Sequence, residues 1–103
     1  MPDADCSDVL KALSDETRWG VVKILLEEGR AKVTDLAGRL SVPQPTMSKH
    51  LRMLREAGIV VSEKERTIVW CEVSPDFTQR LRDGKQMLDM GCCTFRFDKP
   101  KKN

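Results

Sequence analysis

Two adjacent cysteines, Cys92 and Cys93, follow a glycine near the end of the chain and offer its most distinctive chemistry. Thiolates prefer soft ions such as As(III), Sb(III), Cd(II) or Pb(II), and As(III) commonly takes three of them in a pyramid. Neighbouring side chains diverge on a regular helix or strand, so the two sulfurs can meet on one ion only where the backbone is irregular. Gly91 can supply that break by ending a helix.

Two other interpretations of Cys92 and Cys93 stay open. They fit small packing residues beneath Phe95 and Phe97, and they also fit redox-sensing thiols. A nearby cation such as Arg96 stabilises a thiolate, and exposed thiolates oxidise readily. The elements that position the pair therefore decide between a metal site, a redox pair and plain packing.

The chain has 103 residues, 40% hydrophobic and 33% charged, which favours one domain over residues 1–103. No apolar run approaches the roughly 18 residues of a membrane-spanning helix, and the acidic start MPDADCSD lacks a signal-peptide core. We therefore expect a cytoplasmic protein without a membrane partner. Thiols stay mostly reduced there, so the four cysteines do not indicate a disulfide scaffold. Cys71 alternates with Val69 and Val73 and is predicted to be a buried core residue.

Hydrophobic spacing and capping residues predict a mainly α protein with a β-hairpin wing. Ser14 is a good N-cap for a helix that Gly29 ends, and Ser74 is a good N-cap for a last helix that starts at Pro75. Five helices and a two-stranded hairpin in this order are the layout of a winged helix-turn-helix. In chain order the prediction is a helix near 9–13, helices over 15–28, 33–40 and 43–57, strands over 59–62 and 67–73, a helix over 75–90, and an extended tail over 92–97.

The helix predicted over 43–57 has an apolar side and a polar side when its residues are placed about 100° apart. Met47, Leu51 and Leu54 fall on the apolar side, which must face the core. The start of the second helix in a helix-turn-helix reaches base edges in the major groove of DNA. We therefore predict that Gln44 contacts adenine through two hydrogen bonds and that Ser48 bonds to bases.

The cations on and beside this helix are predicted to hold phosphates. Residues 44–55 carry Lys49, Arg52 and Arg55 and no acid, and phosphate contacts position a protein without specifying sequence. Lys64 and Arg66 lie at the hairpin tip, where a wing touches the DNA backbone or the minor groove. A face that carries only cations also disfavours a protein-interaction module, which would need aromatic anchors.

His50 lies near the apolar border of the same helix. The sequence places no second metal ligand near it, so a half-buried structural histidine is favoured over a metal ligand, and a phosphate or base contact stays open. The chain contains no metal-hydrolase spacing, phosphate-binding loop or nucleophile–histidine–acid set. We therefore do not expect an enzyme.

Three stretches, LKALSDETRWGVVKILL, VTDLAGRLSVPQPTMSKHLRMLREAGIVVSEKE and RTIVWCEV, resemble the ArsR/SmtB family of winged-helix repressors. The resemblance implies a homodimer on a palindromic DNA operator, released when an inducer, often a metal ion, binds. It also implies that the first and last helices form the dimer interface. The DNA-reading segment and the basic wing correspond by position to Gln44, Thr46, Ser48, Lys49 and His50, and to Arg66.

The chain departs from this family at its wing and its sensor sites. The wing tip has no glycine, VTDLAGRL has no cysteine, and no histidine follows His50, so both familiar sensor motifs are absent. We therefore expect no required cofactor, and an inducer such as As(III) or another soft metal ion at Cys92 and Cys93. The interface that the resemblance implies would place Cys6 at its edge, so Cys6, from either protomer, is the candidate third ligand. A redox-sensing or non-metal-sensing regulator is the alternative. The dimer stripe on the last helix would comprise Phe77, Leu81, Gly84 and Leu88.

Overall fold

The computed structural model describes residues 6–84 and 86–97. Helices dominate the first half of the chain, and strands dominate the second half. In chain order the elements are α1 (Cys6–Leu13), α2 (Glu16–Glu28), β1 (Ala31–Lys32), α3 (Val33–Arg39), α4 (Gln44–Glu56), β2 (Val60–Glu65), β3 (Ile68–Val73), α5 (Pro75–Thr78), β4 (Leu81–Arg82), β5 (Met87–Asp89) and β6 (Thr94–Arg96). No helix within these two ranges has the length and apolar character to cross a membrane.

The first two helices meet at adjacent caps. Asp15, rather than the predicted Ser14, is the N-cap of α2, and its carboxylate accepts a hydrogen bond of 3.0 Å from the backbone N–H of Arg18. The Ser14 hydroxyl instead donates to the carbonyl of Lys11 at 2.7 Å, which satisfies the end of α1. Gly29 ends α2 as predicted, with a φ of 83° that disfavours other residues.

α3 and α4 form the helix-turn-helix, and one apolar core joins them to α1 and α2. Met47, Leu51 and Leu54 face this core as their spacing predicts, and none is more than 1% exposed. Burial of this side fixes the rotation of α4 about its axis, so its polar side must face solvent. The side chains buried in the other three helices include Val9, Leu13, Val21, Val22, Leu25, Val33 and Leu36.

The wing is a three-stranded antiparallel sheet in the order β1-β3-β2, so the predicted two-stranded hairpin is incomplete. β1 adds Ala31 and Lys32 opposite Cys71 and Trp70. β2 also continues through its charged residues to Glu65, because an edge strand can point charged side chains to solvent while its backbone ladder continues. Cys71 is a free thiol and 1% exposed, which confirms its prediction as a core residue.

The long last helix predicted over 75–90 is wrong. A helix does begin after Ser74, but α5 is a single turn that ends at Thr78. The antiparallel strands β4, β5 and β6 follow, and β6 confirms the predicted extended tail. The apolar stripe over residues 77–88 is therefore not a helix face. The described part of the chain has no long last helix to form the dimer interface that the resemblance implies.

Two turns and a buried aromatic face account for this three-stranded meander. Asp83 and Gly84 both have positive φ, 57° and 65°, and Asp-Gly is a common hairpin-turn pair. Gly91, with a φ of 86°, starts the second turn. Alternate residues in and beside β5 and β6 then reach the core, and burial of their side chains favours strands over a helix. These buried residues are Leu88, Met90, Phe95 and Phe97.

Replacing Gly84 with alanine distinguishes the helix from the turn. In a helix the change would raise the free energy of unfolding by about 1 kcal/mol, because alanine is the better helix former. In the observed turn it should lower that free energy by about 1–2 kcal/mol, because an L-residue disfavours positive φ. Among the described residues nothing lies within 4 Å of an added Cβ apart from chain neighbours, so urea unfolding measures the backbone effect alone.

Gly38→Ala is the matched control. Gly38 lies inside α3, and the space around an added Cβ is equally open. This variant should stabilise the protein by up to about 1 kcal/mol. Equal stabilisation by both substitutions would mean that residues 75–90 are helical in solution and that the meander is wrong.

Candidate nucleic-acid interface and cysteine cluster

The polar side of α4 is free to meet a ligand. Gln44, Thr46, Ser48, Lys49 and Arg52 are all exposed, and none makes a side-chain hydrogen bond or ion pair within residues 6–84 and 86–97. The first turn of α4 contains no acid. The unpaired N–H groups and the positive end of the helix dipole therefore favour an anion such as phosphate at this end.

Arg55 reaches from α4 to the wing. Its guanidinium donates a 3.3 Å hydrogen bond to the hydroxyl of Ser62, which lies 3.5 Å from the Sγ of Cys71. Burial raises the pKa of the Cys71 thiol, although the Ser62 hydrogen bond and the Arg55 charge act to lower it. The raised pKa favours the protonated thiol of Cys71, which lies beside the contact between α4 and the wing.

The wing tip carries the cations that the sequence assigns to DNA. Arg66 lies in the turn between β2 and β3 with a φ of 58°, a conformation that glycine adopts more easily, and Lys64 precedes it on β2. Both are exposed. Arg30 braces the sheet, with its guanidinium 3.1 Å from the carboxylate of Glu65 and 4.3 Å from the ring centre of Trp70. Arg30 thereby offsets an acidic charge that would otherwise repel phosphates near the tip.

Arg18, on α2, makes side-chain contacts with both α1 and α4. Its Nε donates to the carbonyl of Ala12 at 2.7 Å, and one of its terminal nitrogens lies 3.0 Å from the Nδ1 of His50 and 3.3 Å from the Sδ of Met53. A guanidinium only donates, so Nδ1 of His50 is the acceptor and the ring proton is on Nε2. His50 is half-buried, which confirms the environment predicted at the apolar border. A DNA contact from His50 stays a prediction.

Asp15 supports Arg18 through the α2 cap. Partial burial acts to raise the pKa of Asp15, but the backbone hydrogen bond and the positive charge of Arg18 lower it below its usual value. The folded pKa is thus depressed relative to the unfolded chain. The stability that this cap contributes is present above about pH 4 and is lost as the pH falls further.

Cys6, Cys92 and Cys93 come together within one protomer. Their Sγ atoms all lie within 4.8 Å of one another. Cys6 and Cys92 are paired as a disulfide, and the free thiol of Cys93 has its Sγ 3.9 Å from that of Cys92. Two thiolates that each lie about 2.3 Å from a metal ion are at most about 4.6 Å apart. The 4.8 Å limit on the observed Sγ separations is close to this value, so small side-chain movements in the reduced cluster would bring three sulfur ligands onto one soft ion.

A hairpin turn, rather than the end of a helix, brings Cys92 and Cys93 together. The N–H of Met90 donates to the carbonyl of Cys93 at 2.9 Å, which closes a two-residue turn made of Gly91 and Cys92. Gly91 has the positive φ that tight hairpin turns require at their first central position. Cys6 is the first residue of α1, and its Sγ lies 4.0 Å from the carbonyl of Met90. Gly91 therefore supplies the predicted irregular backbone conformation, but in a turn between two strands and not at the end of a helix.

The strand that follows the cysteines packs on α2. The ring of Phe97 stacks on Trp19 with centroids 4.3 Å apart, and Phe95 meets the same ring in an edge arrangement at 6.2 Å. Trp19 adjoins Arg18 in the chain, so one stretch of α2 contacts both β6 and α4. The sequence analysis did not identify these two residues as part of the site. The alternation of Phe95 and Phe97 indicated a short extended segment but could not identify the helix on which it packs.

The fold and the site define a winged helix-turn-helix regulator, and comparisons with known proteins place the chain within this class. Residues 15–62 match the family described as "Bacterial regulatory protein, arsR family". The chain belongs to the ArsR family. The solved HlyU from Vibrio cholerae N16961 has 34% identity and a TM-score of 0.63, covering 66% of this chain and 73% of that chain.

Two curated relatives support the family assignment. The arsenical resistance operon repressor of Escherichia coli (strain K12) is 42% identical over 67 residues, which cover 65% of this chain and 57% of that protein. The uncharacterized HTH-type transcriptional regulator MJ1325 of Methanocaldococcus jannaschii is 43% identical over 61 residues, covering 59% and 68%. The match thus spans little more than half of the Escherichia coli repressor. The relatives named here are transcriptional regulators, which supports the expectation at the family level that the chain is not an enzyme.

Arg18→Ala should lower the free energy of unfolding by about 1–3 kcal/mol, because the Ala12 carbonyl and the His50 ring lose their donor. Arg39→Ala is the matched control, since the ion pair of Arg39 with Glu28 is exposed and should contribute little. Urea unfolding of both variants compares the free energy lost with the hydrogen bonds of Arg18 between helices and the free energy lost with the surface ion pair of Arg39. Equal losses would contradict a special role for Arg18.

Proposed function

We propose that the protein is a transcriptional repressor that binds double-stranded DNA as a homodimer and leaves its palindromic operator when a soft ion such as As(III) binds Cys6, Cys92 and Cys93. The observation that carries the proposal is the convergence of three sulfurs on a winged helix-turn-helix. The Escherichia coli relative is named as an arsenical resistance operon repressor, which supports this class of inducer. We further propose that residues 1–103 act as one domain in the cytoplasm, without a required cofactor or a membrane partner.

The start of α4 enters the major groove in this proposal. Gln44 and Ser48 read base edges, while Thr46 and Lys49 contact the adjacent backbone or bases. Arg52 holds a phosphate, and the exposed cations of the wing tip, Lys64 and Arg66, contact the flanking DNA. The support is the exposure of all these side chains together with the acid-free first turn of α4.

Family membership supports the proposed homodimer on a palindromic site. Two copies of α4 would read half-sites about 34 Å apart, or a multiple of that spacing. With α5 reduced to one turn, α1 is what remains of the interface that the resemblance implies. Leu10 on α1 is 55% exposed, the most exposed large apolar side chain among the described residues. A partner subunit that covers α1 would remove this side chain from water.

As(III) binding would replace the hydroxyl groups on arsenic with cysteine sulfurs. Arsenous acid, As(OH)₃, forms three As–S bonds with three thiols, and the three thiol protons leave with its hydroxyl groups as three waters. Cys6 lies at the start of α1, where the positive end of the helix dipole favours a negatively charged sulfur. Cys92 is exposed, so the ion can enter from solvent.

The route from the cysteines to DNA runs through α2. Ligation of the β5–β6 turn would reposition β6, whose aromatic residues pack on Trp19. The adjacent Arg18 bonds to His50 on α4. As(III) must bind the DNA-incompetent conformation more tightly to shift the population toward it. A drop of about 100-fold in operator affinity needs only about 2.7 kcal/mol of coupling.

A thiol redox sensor is the second candidate function. The pairing of Cys6 with Cys92 as a disulfide favours it, because the same turn would then change position on oxidation. A non-metal-sensing regulator remains the broader alternative. A protein-interaction winged helix has less support, since the exposed side of α4 is cationic and lacks aromatic anchors.

Two substitutions on α4 test the DNA interface. Arg52→Ala should weaken binding to operator and random duplexes alike, and should reduce the salt slope by about 1, because it removes a phosphate contact. Gln44→Ala should instead reduce the difference in binding free energy between operator and random duplexes by about 1–3 kcal/mol, because it removes a base contact. Fluorescence anisotropy on both duplexes over a salt series measures the two effects. Equal weakening of both duplexes by Gln44→Ala would rule out base reading by this residue.

Replacing both Cys92 and Cys93 with serine tests the inducer site. The variant should bind promoter DNA like the parent under reducing conditions, and arsenite should no longer release it. Cys71→Ser is the control, because Cys71 is buried in the wing and should not be a ligand, so the response should persist. The measurement is a promoter-binding titration with and without arsenite. A parent-like arsenite response of the double variant would exclude the pair as the sensor.

A further inference from the structure

The sulfurs of Cys6, Cys92 and Cys93 cannot hold an As(III) ion while two of them form a disulfide. Cys6 and Cys92 share a disulfide, while Cys93 beside them is a free thiol. A disulfide sulfur carries no exchangeable proton and no thiolate charge, so it cannot form an As–S bond by displacing a hydroxyl group. Oxidation therefore leaves one of three ligands, and a single thiolate does not make a pyramidal As(III) site.

We propose that the Cys6–Cys92 disulfide is a redox gate on the metalloid site: the oxidised protein does not bind As(III), and bound As(III) prevents the disulfide from forming. This inference rests on the proposed function. It makes the regulator conditional, because it answers the metalloid only while the cell keeps the three thiols reduced.

Backbone geometry selects Cys6, rather than Cys93, as the partner of Cys92. Disulfides usually join residues whose Cα atoms are about 4.4–6.8 Å apart. Cys6 and Cys92 meet this requirement at 6.6 Å. The Cα atoms of adjacent residues are only about 3.8 Å apart across a trans peptide, so Cys92 and Cys93 do not. Cys92 and Cys93 are thus poorly placed to form a disulfide with each other, whereas Cys6 is well placed to form one with Cys92.

The fourth cysteine is kept out of this exchange. Cys71 is 1% exposed in the wing sheet and bonds with Ser62, and burial raises the pKa of its thiol. A protonated, buried thiol is a poor nucleophile. Cys71 therefore serves as an internal reference that stays reduced in both states.

The oxidation step balances with a peroxide as the oxidant. The exposed Cys92 thiolate attacks one oxygen of hydrogen peroxide, the O–O bond breaks, and a sulfenic acid and hydroxide result; the hydroxide becomes water by taking up the proton that the Cys92 thiol released. The Cys6 thiol then displaces the sulfenic oxygen as a second water, and the Sγ–Sγ bond forms. Two electrons pass from the two sulfurs to the peroxide. Glutathione thiols can reverse the step by thiol–disulfide exchange.

The test compares arsenite binding by the full chain in its reduced and peroxide-oxidised forms. Equilibrium dialysis with elemental analysis should find about one As(III) per chain in the reduced protein. Bound arsenic should fall at least about tenfold after oxidation and should return on reduction with glutathione. Thiol titration under denaturing conditions should find all four cysteines reduced before oxidation. Peptide mass mapping should identify Cys6–Cys92 as the pair afterwards.

Prior loading with arsenite supplies the reciprocal measurement. It should slow formation of the Cys6–Cys92 peptide by at least about tenfold, because the same sulfurs are ligated. Cys93→Ser is the matched variant: it keeps both disulfide partners but only two of the three ligands. It should oxidise like the parent and gain much less protection from arsenite.

The outcomes separate the gate from the proposed function. Equal arsenite binding by the reduced and oxidised proteins would overturn the gate and leave the sensor intact. A different disulfide pair in the mapping would also overturn the gate. Failure of the reduced protein to bind arsenite would remove the proposed inducer, and the gate with it.

Discussion

The stacking of Trp19 on Phe97 holds the C-terminal strands against the helical half of the chain. Aromatic pairs contribute about 0.5–1.5 kcal/mol beyond the burial of their area, and burial of each phenylalanine adds about 1.5–3 kcal/mol. With Phe95 packed on the same indole, β6 is anchored on α2. The β5–β6 turn consequently lies over the start of α1. Cys6 and Cys92 meet there although 86 positions separate them in sequence.

The same stretch of α2 also governs α4. Arg18 bonds at once to the end of α1 and to His50, so the position of α4 depends on the helix that carries Trp19. A helix is stiff over one turn, and the two adjacent residues cannot respond independently to a movement of β6. This contiguous set of contacts is the route that we propose from the cysteine cluster to α4.

The C-terminal meander changes how a small ArsR-family chain completes its core. A long last helix would bury its apolar stripe against a partner, whereas the meander buries Leu88, Phe95 and Phe97 within the protomer. Both edge strands of this sheet, β4 and β6, are only two and three residues long, and short edges limit unwanted strand pairing. The three cysteines can therefore form their cluster within one chain, and in the proposed homodimer a different surface would form the interface.

The sequence by itself determined the features that depend on near neighbours. Gly29 ends α2, the apolar side of α4 is buried, and Cys71 lies in the core, because caps and periodicity act over a few residues. The sequence also indicated that Cys92 and Cys93 could act as thiolate ligands or redox-active thiols, and that an irregular backbone was needed at Gly91. These signals were enough for the helix-turn-helix, the wing and the Cys92–Cys93 pair, whereas Cys6 became a candidate ligand only through the interface that the family resemblance implies.

Only the tertiary structure decided the conformation after Ser74. The apolar spacing over residues 77–88 fits a helix as well as short strands, and strands of two or three residues carry almost no local signal. Burial of Phe95 and Phe97 on Trp19 and the positive φ at Asp83 favour the strands. The partners of Arg18 and the pairing of Cys6 with Cys92 were hidden for the same physical reason. They depend on which distant segments share a core, and no local pattern in the chain encodes that.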